Sequence, residues 1–251
     1  MSSNEKIIKA SFRGNPSDER KTFVVSTCLM PISVGQSVHE GKKFEAVIKL
    51  VDKSFKQCAI LIDDTVQRHT IAIDKFKEPQ DLYTDALELG NQWLIRNEAI
   101  YSKLKIPYQI IRWDDWLRHN DFKMQLARVN RLYSENLVYK TAIHANINEF
   151  LTRFLSKIDC SKIDSNRAFQ LCLNYLLEEC AVMLLWTHGH YDFELYPNGR
   201  NQAMDATYEI LIKPYFPSYL RSVAVRFKKY PRQNIFQNQS IKSDILFCEE
   251  S

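Results

Sequence analysis

Two short runs of the chain, TFVVSTCLMP at 22–31 and CAILID at 58–63, are apolar and β-branched with hardly a polar interruption. Strands of that composition are buried on both faces, as parallel strands covered by helices are. Helical spacing follows the first run over 40–56, through Phe44, Val47, Ile48 and Val51. It follows the second over 80–105, through Leu82, Ala86, Leu89, Trp93 and Ile100. YQIIRW at 108–113 reads as a third strand, and shorter strands are expected at 192–196 and 219–226. Helical patterns cover 116–132, 137–157, 165–187 and 203–213. The alternation predicts an α/β fold, a single Rossmann-like domain with a mostly parallel sheet flanked by helices. Ligands of such sheets bind at the carboxyl ends of the strands, a rim that carries Ser33 and Asp63. Residues 1–20 are polar and expected to form a loose arm, 21–232 the domain, and 233–251 a polar tail.

The chain has 251 residues and 45% hydrophobic content, enough for one such domain. Its formal charge of +4 permits an RNA or phosphate partner without demanding one. Six cysteines, at 28, 58, 160, 172, 180 and 248, include no C-x-x-C pair. They read as buried free thiols, which suits a reducing cytoplasm. The N-terminus has no apolar signal core. No run reaches the roughly 18 apolar residues of a membrane span, so no membrane partner is expected. His188-Gly189-His190 lacks a third ligand at a convincing spacing, so no metal is expected.

The stretch LCLNYLLEECAVMLL, 171–185, is helical and almost wholly apolar. Asn174 and Glu178, four apart, share one narrow stripe that reads as the solvated one. Glu179 lies about 100° further round, on the apolar row Cys172, Tyr175, Glu179, Val182. A carboxylate there must be paired, hydrogen-bonded or functional, because burying it bare is costly. A core Tyr175–Glu179 hydrogen bond and a functional pair fit the pattern equally. Ser33, in the turn ISVGQS after the first strand, fits a helix cap or a nucleophile using backbone N–H groups for an oxyanion. His39 is the nearest candidate base and otherwise reads as a surface histidine. No G-x-S-x-G, GxGxxG or Walker signature is present. His188-Gly189-His190 lacks the isoleucine of the HIGH motif, and no KMSKS-like partner exists.

Five segments together resemble the tRNA-dependent cyclodipeptide synthases: CLMPISVGQSVHEGKKFEAV (28–47), CAILIDDTVQRHT (58–70), ALELGNQWLIRNE (86–98), NYLLEECAVML (174–184) and FELYPNG (193–199). They follow the family's order over most of the chain. The resemblance implies a fold similar to class I tyrosyl- and tryptophanyl-tRNA synthetase catalytic domains, without their ATP signatures. It implies a cytoplasmic, monomeric bacterial aminoacyltransferase that joins the amino acids of two aminoacyl-tRNAs into a diketopiperazine, with no cofactor, ATP or metal. Ser33 would carry the aminoacyl and dipeptidyl groups. Tyr175 and Glu179 would match the family's Tyr-x-x-x-Glu that binds the amino group, and Tyr196 its second essential tyrosine. Gln36, three positions after the nucleophile, and Tyr196-Pro197 resemble the Tyr-Pro subfamily.

Leu29 and Pro31 beside Ser33, with Gln36, Leu61, Val182, Met183 and Pro197, are expected to line the substrate pocket. The family's tRNA-binding helix corresponds to 80–105 here, where bases are few. The expected tRNA contacts are Arg68, Arg96, Lys103, Arg226, Lys228 and Lys229. Two other classes compete: a non-catalytic RNA- or nucleotide-binding module with a synthetase-like fold, and a serine hydrolase, which the absent elbow and triad disfavour.

Overall fold

A computed structural model describes residues 7–157 and 163–230. Cys160, Cys248 and the expected tail 233–251 lie outside the described residues. Six strands form one sheet: β1 (Ile7–Arg13), β2 (Thr27–Ser33), β3 (Gln57–Asp63), β4 (Tyr108–Arg112), β5 (Phe193–Leu195) and β6 (Arg221–Tyr230). Their order is β1-β6-β5-β2-β3-β4. All pairings are parallel except β1 with β6. The helices are α1 (Ser17–Thr22), α2 (Gly41–Asp52), α3 (Arg68–Ile71), α4 (Pro79–Tyr101), α5 (Trp113–Leu117), α6 (Phe122–Glu135), α7 (Leu137–Leu155), α8 (Ser165–Leu185) and α9 (Gln202–Thr207).

Strand alternation divides the core into two layers. Cys28, Met30 and Ile32 of β2, with Cys58, Ile60 and Ile62 of β3, pack against Phe44, Val47 and Val51 of α2 and Trp93 of α4. Leu29 of β2 and Ala59 and Leu61 of β3 belong to the opposite layer, with α8 and residues of α5, α6, α7 and α9. On that face the strands run Leu29–Pro31–Ser33 and Ala59–Leu61–Asp63, apolar until the carboxyl ends. β2 lies between β3, which follows it in sequence, and β5, which comes much later. That reversal opens a crevice at the carboxyl ends of β2 and β5.

The structure differs from the sequence expectations in several places. The first buried strand starts at Thr27, because Phe23–Val25 form a 3-10 turn that buries Phe23 and leaves Val24 and Val25 63% and 71% exposed. The expected loose arm contains β1, whose Ala10 and Phe12 pack on the α2 layer while the strand pairs with β6 along its whole length. The expected helix 116–132 is two, α5 and α6, separated at His119–Asp121. The helical stretch Ser165–Gly189 has the length and hydropathy of a membrane span, contrary to the sequence count, and 67% of its most apolar window is buried inside the fold.

Glu178 is not on a solvated stripe. It is 7% exposed, and Arg68 grips both its carboxylate oxygens. Trp113 Nε1 donates to it at 2.8 Å, and His69 Nε2 lies at 3.2 Å. Burial pushes its pKa up, but His69 and Arg68 outweigh that and hold it below the ordinary carboxylate value. Asp64 is likewise buried and bridged by Arg112, whose Nε donates at 2.6 Å. Breaking one partner of such a pair leaves a bare buried charge, at a cost of about 3–5 kcal/mol.

Helix α4 crosses that ion pair at Gly90. A Cβ on Gly90 would stand 2.5 Å from Asp64 Oδ2 and 2.6 Å from Asp64 Cβ. Gly90→Ala is therefore expected to lower stability by about 1–3 kcal/mol through overpacking, read as a lower urea midpoint. A midpoint equal to or above that of the parent would show that the helix yields freely there.

Candidate active site

The crevice between β2 and β5 is where the chemistry-bearing side chains meet. Ser33 ends β2 and Tyr196 follows β5. Ser33 Oγ and the Tyr196 hydroxyl are 3.0 Å apart. The chain leaves β2 through Gly35, whose φ of +86° suits glycine, and the turn folds His39 back beneath Ser33. The Ser33 N–H donates to His39 Nδ1 at 3.0 Å. His39 is buried, not a surface residue. Burial pushes its pKa down to about 4, so the ring is neutral. With Nδ1 accepting, the proton sits on Nε2, which has no hydrogen-bond partner among the described residues. His39 thus grips the backbone of Ser33 rather than its hydroxyl, and Ser33's own amide is engaged before any oxyanion could claim it. Tyr196 packs edge-on against the imidazole, ring centroids 5.2 Å apart. Burial pushes the Tyr196 pKa up to about 12, so it stays a neutral phenol that can relay a proton.

Helix α8 closes the crevice and presents Tyr175 and Glu179 to it. Glu179 is 8% exposed, lines the crevice beside Tyr175, and receives Asn201 Nδ2 at 3.2 Å. Asn201 caps α9, its Oδ1 accepting the Met204 N–H at 2.8 Å. That bond turns the amide so that its NH2 faces Glu179. Burial pushes Glu179 up to about 7, with the Asn201 hydrogen bond, the Tyr175 hydroxyl and the nearby Glu194 charge modulating it. Burial and the Glu179 and Asp63 carboxyls hold the Tyr175 hydroxyl well above the usual phenol pKa, and Gln67 lines the cavity beside it while its Nε2 donates to the Asp63 carbonyl at 3.3 Å. Tyr175, Glu179, Asn201 and Gln67 line one cavity of about 420 Å³, to which α7 contributes Asn146, Phe150 and Arg153.

Ser33, Tyr175, Glu179 and Tyr196 therefore share one cavity, and Pro31 and Gln36 also line it. Leu29, Leu61, Val182 and Met183 do not: they are fully buried in the layer between sheet and α8 and form the cavity's foundation. Pro197 is also off the lining, its carbonyl accepting the Val225 N–H at 3.2 Å. Arg68 is turned inward to Glu178. Arg96 and Lys103 bond Glu40 and Glu45, each at 3.0 Å on the surface. Arg226, Lys228 and Lys229 are exposed on β6. Sequence reasoning put Asp63 at the rim without giving it a role, and missed Gln67, Asn146 and Asn201, amides that no helical phase or motif singles out. It also found no partner for His188, and the fold supplies two. His188 Nδ1 lies 3.4 Å from His119 Nε2 and 3.8 Å from Asp121 Oδ2. The Asp121 N–H donates to His119 Nδ1, which leaves the proton on Nε2 facing His188. The trio is thus a hydrogen-bonded imidazole pair beside a carboxylate.

No family model and no curated protein matches the chain. Solved structures do. A Mycobacterium tuberculosis protein reported to relate cyclodipeptide synthetases to type I tRNA synthetases superposes with a TM-score of 0.57 at 9% identity, over 89% of this chain and 94% of that one. A cyclodipeptide synthase from Candidatus Glomeribacter gigasporarum, solved bound to Phe-tRNAPhe, superposes with a TM-score of 0.67 at 19% identity, over 79% of this chain and 86% of that one. The fold is that of an α/β domain related to class I tRNA synthetases. A cyclodipeptide synthase from Fluoribacter dumoffii is 57% identical, with a TM-score of 0.88 over 90% of this chain and all of that one. The chain belongs to the cyclodipeptide synthase family.

The raised pKa of Glu179 has a stability consequence. Its folded value of about 7 lies above the ordinary 4.5, so the fold favours the protonated acid. This group's contribution is full below pH 4.5 and falls as pH rises through about 7, by about 3 kcal/mol in total. Glu179→Gln, neutral throughout, is expected to match the parent near pH 5 and exceed its urea stability at pH 8. An equal difference at both pH values would show that Glu179 does not titrate in this range.

Proposed function

We propose that this chain condenses two aminoacyl-tRNAs into a diketopiperazine through aminoacyl and dipeptidyl esters of Ser33, as a member of the Tyr-Pro subfamily. The observation that carries this reading is the 3.0 Å contact of Ser33 Oγ with Tyr196, in one cavity with Tyr175 and Glu179. Ser33 Oγ attacks the ester carbonyl of the first aminoacyl-tRNA, the ribose hydroxyl leaves, and the serine proton passes through Tyr196 to that oxygen. The α-ammonium is held by the Glu179 carboxylate and the Tyr175 hydroxyl, where a charge-assisted bond suits the cation. The amine, once deprotonated, attacks the ester of the second aminoacyl-tRNA, releasing that tRNA and leaving a dipeptidyl ester. The new terminal amine then attacks the Ser33 ester, closing the ring and freeing the hydroxyl, favoured by proximity. The ester bonds of both substrates already carry the activation, so the scheme uses neither ATP nor metal. Gln36 on the lining and the Tyr196-Pro197 sequence support the subfamily assignment. For tRNA, the exposed Arg226, Lys228 and Lys229 of β6, with Arg96 of α4 and Lys103 just after it, supply phosphate contacts.

Intact-mass measurement with charged tRNA is expected to show an aminoacyl adduct on the parent protein and none on Ser33→Ala. An adduct persisting on Ser33→Ala would overturn the covalent assignment. Two adjacent acids separate binding from architecture. Glu179→Gln should cut adduct formation at least tenfold with the fold intact, as expected for losing a bond to a charged group. Glu178→Gln should instead lower the urea midpoint, since it leaves the half-buried Arg68 without its charge partner. Identical effects of the two on both readouts would show that the helix face has been misassigned.

A further inference from the structure

Asp63 takes no part in the scheme above, yet it stands beside the nucleophile. β2 and β3 pair in register with Ser33 opposite Asp63, and both line the cavity. Asp63 is 4% exposed, and its buried Oδ1 has no hydrogen-bond partner among the described residues. Other buried acids of this fold have found cations: Glu178 has Arg68, Asp64 has Arg112, and Glu194 has Arg200 at 2.6 Å. Among the described residues, neither Asp63 nor Glu179 is bonded to a basic side chain. The two arginines of the lining are engaged elsewhere, Arg200 with Glu194 and the Leu220 carbonyl, and Arg153 with Glu149. A cavity that keeps two acids without a cation is complementary to a cation that arrives with the ligand.

The number of donors decides what that cation needs. An ammonium has three N–H groups, and Tyr175 and Glu179 supply acceptors for two. Asp63 lines the same cavity as Tyr175, Glu179 and Tyr196. We propose that Asp63 is the third acceptor for the α-ammonium of the first aminoacyl group, placed by its register opposite Ser33 to hold that group as it is transferred. The inference rests on the proposed function and names a substrate-binding residue beyond the Tyr175–Glu179 pair. Three acceptors fix the rotation of the C–N bond, which a two-point grip leaves free. They also give the proton lost by the ammonium, when it becomes the attacking amine, a carboxylate to go to.

A charged tRNA pool first establishes which aminoacyl group loads Ser33 of the parent protein. No adduct with any tRNA would overturn the proposed function and this inference with it. The Ser33→Ala protein, which cannot consume substrate, is then used to compare Kd for that aminoacyl-tRNA and for the same tRNA uncharged. The expected result is tighter binding of the charged form, with Asp63→Asn reducing the charged-to-uncharged preference about tenfold or more and leaving Kd for uncharged tRNA unchanged. Asp63→Ser, which also lacks the charge, is carried alongside so that a folded variant decides the matter. An unchanged preference would overturn the role of Asp63 while leaving the proposed function standing. So would equal weakening of both forms, or a loss for only one of two different amino acids, which would assign Asp63 to side-chain recognition.

Discussion

Everything in the cavity depends on α8 being able to lie buried against the sheet while carrying two adjacent acids. Glu178 and Glu179 point about 100° apart, and that angle divides their fates. Glu178 turns into the fold, where Arg68, His69 and Trp113 satisfy it, and so ties α8 to the segment after β3. With the helix fixed in rotation, Glu179 has one direction left, towards Ser33 and Tyr196. A structural ion pair thus aims a residue that takes no part in it.

The arrangement around Ser33 also explains why this serine is unlike that of a hydrolase. In a catalytic triad the imidazole accepts the serine hydroxyl proton and needs a pKa near the working pH. Here the imidazole of His39 takes the backbone N–H instead, and its pKa of about 4 makes it a poor proton acceptor at neutral pH. The hydroxyl faces a phenol, which exchanges one proton for another without building charge in a buried place. Such a serine suits an ester that is already activated better than an amide that is not.

The sheet was legible because β2 and β3 are buried on both faces and their composition says so. Glu179 was legible because helical phase put it among apolar neighbours. Glu178 was misread by the same logic, since the arginine that satisfies it lies 110 positions earlier in the chain. β1 was hidden for a similar reason: IIKASFR is an unremarkable mixed run until β6 lies beside it. Leu29, Leu61, Val182 and Met183 are near the site in sequence but face the packed layer beneath it, a distinction that needs the depth of the cavity. Asn201 and Gln67 carry no signal at all, because an amide that orients a functional group looks like any other turn or helix polar residue.

The pairing of β1 with β6 has one more consequence. Ile7 lies opposite Tyr230 and Arg13 opposite Ala224, so among the described residues the first strand of the sheet has as its only strand partner the last. A contact between such distant segments closes the largest loop in the fold, and its entropy cost is met only after the intervening contacts have shortened the effective span. On the ribosome, β1 emerges early and must wait until almost the whole domain has been made. The remaining strands can assemble without it, and β1 then joins as the edge that covers the open flank of β6.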